Sequence, residues 1–278
     1  MTAKPVFERL VVIGLGLVGG SVALAARERG LAREVVGVDP GLESAGPIPV
    51  LPLQEAVGTA DGVVVAVPVG ALEGVLQDLA GVLPPEAVIT DTLSVKVPVA
   101  EAVRRILPAP ERCVGAHPMA GGDSSGFAHA RADLFEGAPC ILALEGSEPE
   151  PVVDQIDGFW QGLGALTVRT TPGQHDAIVA ALSHAPHAIA FAFAQALADR
   201  DQWIGLAGQG LRDFVRIARA NPGLWTEILL RNRQRVTEEL ARFEKNLGGI
   251  IEALARGDRD ALERMLRDGQ RALEKLER

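Results

Sequence analysis

Leu10-Val11-Val12-Ile13-Gly14-Leu15-Gly16-Leu17-Val18-Gly19-Gly20-Ser21 decides the fold. Four apolar residues without alternation read as a strand buried on both faces, and the glycines at 14, 16 and 19 follow it in G-x-G-x-x-G spacing. Gly14 allows a tight turn, Gly16 lets the backbone approach a pyrophosphate, and Gly19 lets the following helix pack on the strand. The helix opening at Leu17 and Val18 offers free N–H groups and a positive dipole end to phosphate oxygens. The next strand pattern ends at Asp39. A carboxylate there accepts from ribose hydroxyls and repels a 2′-phosphate, so NAD is expected over NADP. The competing reading of Asp39 is a solvated turn residue before Pro40.

Outward from this motif, strands are expected at Leu10–Ile13, Glu34–Val38, Gly62–Val67, Ala87–Thr90, Arg112–Ala116, Pro139–Leu144 and Ala165–Arg169. Helices are expected at Leu17–Arg29, Ala71–Val82, Val95–Leu107 and Pro151–Leu163. Alternating apolar strands and helical crossovers indicate an α/β, Rossmann-type doubly wound parallel sheet. Gly41 to Val50 is too short and too rich in Gly and Pro for a helix after the second strand, so the adenine side should be open. After Pro172 strand patterns vanish, and helical periodicity runs to the end with breaks at Gly205–Gly210, Asn221–Gly223 and Gly248–Gly249. The division expected is a dinucleotide-binding domain over 1–170 and an all-helical domain over 171–278.

The 278 residues are 47% hydrophobic and 23% charged, an ordinary globular composition. A net charge of -9 argues against a nucleic-acid partner, which needs a basic surface. Cys113 and Cys140 lie in apolar strand-like runs and read as buried thiols in a reducing compartment. The N-terminus enters a strand pattern almost at once, so no signal peptide and a cytoplasmic location are expected. Ala177 to Ala198 is mostly apolar and about as long as a membrane span. Ser183, His184, Pro186, His187 and Gln195 interrupt it, and a helix buried between two subunits explains it better than lipid. A homodimer through the helical domain is therefore expected, with no membrane.

Three further motifs carry chemistry: Asp91-Thr92-Leu93-Ser94-Val95-Lys96, His117-Pro118-Met119-Ala120-Gly121, and, in the helical half, Ser183-His184-Ala185-Pro186-His187 with Gly210 to Ala218. Ser94 and His117 follow strands, and strand C-termini are where α/β sheets place ligands. Ser94 could also cap a helix beginning at Val95. Lys96 reads as a first-turn surface residue or a phosphate-side contact, Trp225 as packing, and Asp91 as part of the cofactor pocket.

Together these motifs resemble the prephenate dehydrogenase family over essentially the whole chain. The resemblance implies a small-molecule substrate, prephenate or its amino relative arogenate, oxidised with NAD in the branch leading to tyrosine. It makes His117 the hydrogen-bonding base, and Ser94 the serine that holds that histidine and the nicotinamide in register. It makes Arg216 the carboxylate binder, and His187 a further substrate contact ahead of His184. Asp213, three residues before Arg216, is expected to orient an arginine. Asp123 stands where the family commonly has glutamate, and Leu93 where a small residue is common. A β-hydroxyacid-type dehydrogenase is disfavoured, because it would rely on a lysine where these motifs offer histidine and arginine. A catalytically dead NAD-binding sensor would have no need of Ser94, His117 and Arg216 together.

Overall fold

A computed structural model describes residues 5–122 and 125–274. The first half is a seven-stranded sheet in the order β2-β1-β3-β4-β5-β6-β7. Its strands are β1 (Phe7–Ile13), β2 (Ala32–Val38), β3 (Gly62–Val65), β4 (Val88–Asp91), β5 (Cys113–Pro118), β6 (Pro139–Ala143) and β7 (Leu166–Thr170). Helices α1 (Leu17–Glu28), α2 (Leu53–Val57), α3 (Leu72–Ala80), α4 (Val97–Ile106) and α5 (Glu150–Gly162) cover its two faces. One apolar cluster joins α1 and α5 to the sheet through Val22, Ala26, Phe159 and Trp160, and another joins α3 and α4 to it through Leu76, Leu79, Val99 and Val103. Every residue of β3 and β4 is buried, which is why β3 and the first half of β4 read as apolar runs.

Two features depart from a wholly parallel, doubly wound sheet. β6 runs antiparallel to β5, with Gly115 opposite Ala143 and His117 opposite Ile141. Among the described residues between them, only a short 3₁₀ turn at Phe127–His129 is helical, and a connection without a crossover helix suits a chain returning in the opposite sense. The second departure follows β2. Pro49 and Leu51 bond to the backbone of Gly37, and Val50 bridges it, so the segment lies along the β2 edge. It takes the place of the helix that the Gly and Pro content argued against, and it covers an otherwise open edge.

The second half is helical: α6 (Pro172–Val179), α7 (Ala185–Gln195), α8 (Asp201–Ile204), α9 (Gln209–Val215), α10 (Pro222–Arg231), α11 (Arg233–Arg256) and α12 (Arg259–Leu273). A π-turn, Ala180–His184, joins α6 to α7 in one long helix. Pro186 explains the irregularity: it has no N–H to offer four residues back, and its ring crowds the carbonyl there. The expected break at Gly248–Gly249 does not occur, and α11 runs through both glycines. A Cβ on Gly249 would stand 3.0 Å from Met265 Cε, so the glycine lets α12 approach closely. The chain turns instead at Gly257, whose φ of 62° is left-handed.

Cys113 and Cys140 are buried and unpaired with one another, as expected. Burial pushes the Cys140 thiol up to about 12 and Cys113 higher still, so both stay protonated.

Candidate active site

The sheet reverses its order at β1, since the chain leaves β1 for β2 on one side and then crosses to β3 on the other. In such sheets this switch point, above the strand C-termini, is where a ligand crevice forms. Gly14 has φ 90°, and a Cβ on it would stand 2.4 Å from the Ala66 carbonyl oxygen just beyond β3. A Cβ on Gly19 would stand 1.9 Å from the Gly14 oxygen. Both positions exclude a side chain. Gly16, by contrast, faces open space and is the N-cap of α1, with no side-chain cap and no acidic residue in the first turn. The free N–H groups of Leu17 and Val18 therefore remain available to an anion. Asp39 accepts from Leu15 N and from Gly41 N, both at 2.8 Å. Each oxygen keeps a second lone pair for a hydroxyl. The arrangement fits a dinucleotide.

The corner after β4 is built differently from the sequence reading. Lys96 is only 1% exposed, and its ammonium pairs with Asp91, itself 2% exposed. Lys96 also donates to the Leu93 carbonyl at 2.7 Å. It is a buried strut and not a surface residue, and the Asp91 carboxylate, expected in the cofactor pocket, pairs with it. Nor does Ser94 cap α4, which begins at Val97. Asp176, on α6, caps it instead, accepting from Lys96 N at 2.7 Å and from Val97 N at 3.0 Å. Ser94 is half-buried, and among the described residues its hydroxyl bonds to nothing, which leaves it free for a ligand.

His117 ends β5 within this corner. Its Nδ1 lies 2.9 Å from His175 Nε2, and His175 Nδ1 lies 2.7 Å from Asp176 Oδ1. The partner that holds His117 is thus His175, and the serine makes no bond to it. Burial, then the nearby Lys96 charge and the other imidazoles, hold His117 well below the ordinary histidine value. His175 is lowered too, chiefly by burial. Burial alone would raise the Asp176 carboxyl, but the bonds from His175, Val97 and Lys96 outweigh it and bring it below the usual carboxylate value. Two neutral imidazoles and one carboxylate result.

The long helix supplies the opposite wall. His184, in the π-turn, accepts at Nδ1 from the Asn232 amide at 3.2 Å, and the same amide donates to the Asp176 carbonyl at 2.8 Å. Burial lowers its pKa to about 4, so it also is neutral. His187 donates from Nδ1 to the Ser183 carbonyl at 2.9 Å and stacks on Trp225, with ring centroids 3.6 Å apart. Trp225 therefore packs, as expected, and it packs on a candidate substrate-contacting residue. Four of the chain's five histidines gather here. Arg216 begins a 3₁₀ turn after α9 that packs against α7. It is exposed and, among the described residues, unpaired. Asp213, expected to orient an arginine, accepts from the Gln209 amide at 2.8 Å and pairs with no arginine among the described residues. Asp123 lies outside the described residues.

Comparison with known proteins places this geometry in a family. The nucleotide-binding domain model of prephenate dehydrogenase matches residues 22–169. The dimerization domain model of the same family matches residues 171–268. The chain belongs to the prephenate dehydrogenase family. Prephenate dehydrogenase of Bacillus subtilis is 31% identical over 258 residues, covering 87% of this chain and 69% of that one. The solved prephenate dehydrogenase of A. aeolicus, in complex with hydroxyphenyl propionate and NAD+, superposes with a TM-score of 0.89 at 27% identity. That match covers 97% of this chain and 98% of the other. An arogenate dehydrogenase of Synechocystis superposes with a TM-score of 0.82 at 27% identity, covering 96% and 99%. Within this family, the buried His117–His175–Asp176 chain is what the sequence motifs left unread. The signal was present as a His-Asp pair opening the first helix of the helical half.

Proposed function

We propose that the chain is an NAD-dependent prephenate dehydrogenase of tyrosine biosynthesis, with His117 as its base. The observation that carries this reading is the imidazole of His117, held neutral beside a glycine-lined nucleotide crevice in a chain that matches both family domains. NAD, held by the Gly14–Gly19 loop and Asp39, supplies the hydride acceptor when bound. As hydride leaves C4 of prephenate, the C4 hydroxyl becomes carbonyl-like and its proton moves to the free imidazole nitrogen of His117. Electrons of the bond to the ring carboxylate then refill the ring, CO2 departs, and the oxygen regains a proton as a phenol. The net proton change is zero. A weakly basic imidazole suffices, because it holds the proton only in passing. In this reading Ser94 hydrogen-bonds a ligand at the same corner, and Arg216 and His187 hold its carboxylate and carbonyl groups.

The test is NADH formation with prephenate or arogenate, each offered with NAD or NADP. Turnover of prephenate with NAD supports the reading, and turnover of arogenate alone transfers it to the amino substrate. Asp39 should make NAD better than NADP by at least ~10-fold, since one charged hydrogen bond is worth about 1.5–3 kcal/mol. Equal efficiency with both cofactors would remove Asp39 from the ribose site.

We further assign the exposed apolar face of the helical half to a second copy of the chain, and the protein to the cytoplasm. The helix Pro172–Gln195 is long and apolar enough to cross a membrane, and little of its most apolar stretch is covered. Leu182 is 67% exposed, and Phe193, Leu230, Ile251 and Leu254 are exposed too. So much apolar surface on a water-soluble chain calls for a partner, and the match to a dimerization domain supports a copy of itself. Light scattering at micromolar concentration should give twice the monomer mass. A monomer there, or recovery only in detergent, would count against a dimer.

A further inference from the structure

His117 can act as proton acceptor only through a ring nitrogen that carries no hydrogen, and three groups decide which nitrogen that is. The Asp176 carboxylate has no hydrogen to give, so His175 Nδ1, 2.7 Å away, must donate to it. A neutral His175 then has its lone pair on Nε2, and Nε2 lies 2.9 Å from His117 Nδ1. The hydrogen in that contact must come from His117 Nδ1. What remains on His117 is an unprotonated Nε2. We propose that His175 is a positioning residue for the reaction: backed by Asp176, it locks His117 in the tautomer whose Nε2 lone pair meets the substrate hydroxyl. The proposal rests on His117 being the base.

The groups around His117 agree with this assignment. From the β4 corner it faces the Lys96 ammonium paired with Asp91, from α6 His175 and Asp176, and from the π-turn His184. No carboxylate touches His117 itself among the described residues, so nothing there favours the doubly protonated ring. Asp176 is also fixed from its other side, because its oxygens accept from the N–H of Lys96, the N-cap of α4, and from that of Val97, its first residue. The carboxylate cannot swing away from His175 without uncapping that helix. The base sits on the sheet, and the residue that sets its hydrogen sits on the helical half. Tautomer control by a partner on the far nitrogen is a general property of catalytic imidazoles.

The test pairs a spectroscopic readout with kinetics. In cofactor-free protein, nitrogen NMR of the labelled histidines should show His117 with hydrogen on Nδ1 and a bare Nε2. His175→Leu should abolish that pattern in favour of mixed tautomers. It should lower kcat by roughly 10- to 100-fold, the usual cost of a misplaced catalytic group, with substrate KM and NAD affinity within about twofold. His175→Gln can accept from His117 Nδ1 through its amide oxygen and should recover most of the loss and the bare Nε2. A hydrogen on Nε2 of His117 in the wild type, or His175→Leu with unchanged kcat, would overturn the proposal. So would a loss of activity in both variants that tracks their melting temperatures. The NMR result stands without any substrate, so it judges the tautomer even if prephenate proves not to be turned over.

Discussion

His117→Asn should lower kcat by roughly 10²–10⁴-fold, the usual worth of a positioned general base, while substrate affinity changes much less. The structure makes the substitution clean. Asparagine can still offer an amide hydrogen to His175 Nε2 from near where Nδ1 stood, so the contact behind the base survives and only the acceptor in front is lost. The pH profile gives a second reading. Burial and the Lys96 charge lower the His117 pKa, so the ring is neutral through its ordinary value of 6.5 and takes a proton only well below it. Protonation removes the acceptor, so the acid limb of kcat/KM should fall well below pH 6.5 and vanish in His117→Asn. Near-wild-type kcat in that variant, with prephenate and with arogenate, would reject the mechanism while leaving the family intact.

Arg216→Ala should fail differently. Its guanidinium can grip a carboxylate through two parallel bonds. Losing each charged bond costs about 1.5–3 kcal/mol, so KM should rise by at least ~10-fold, and by roughly 100-fold or more if both bonds are made. The side chain is exposed and unpaired among the described residues, so melting temperature and NAD affinity should stay near wild type. A large fall in stability would show that Arg216 holds the fold. An unchanged KM would move the carboxylate to another cation.

How much of this could be read from the chain depends on how far each interaction reaches along it. Leu10–Gly19 declares itself because strand, turn and helix start are neighbours in sequence. The central strand β3 is legible for a similar reason, since burial on both faces makes it apolar throughout, whereas β7 at the edge is mostly exposed. The start of α4 was misplaced at Val95 because its cap, Asp176, arrives from 80 residues away. Lys96 looked like a surface residue because a lysine announces its charge and conceals its partner, and Asp91 explains it only once both are seen inside. Gly248 and Gly249 looked like a stop, and only the crossing of Met265 over Gly249 shows why they are not. His117 was found from its motif. His175 was not, because a histidine in an ordinary helical first turn gives no sign of what stands across from it.

The π-turn at Ala180–His184 makes the length of the long helix as consequential as its composition. Residues of a regular helix follow one another by about 100° around its axis, and the wide turn inserts one residue beyond the regular count. Upstream of it, His175 and Asp176 face the sheet, and downstream His187 lies flat on Trp225. Closing this turn into regular helix with every residue kept would swing everything after it by about 100° relative to everything before. The catalytic wall would lose its alignment without the loss of any side chain that touches a ligand. In this helix the spacing itself is a specified quantity, and the extra residue in the wide turn is part of what sets how its two ends face.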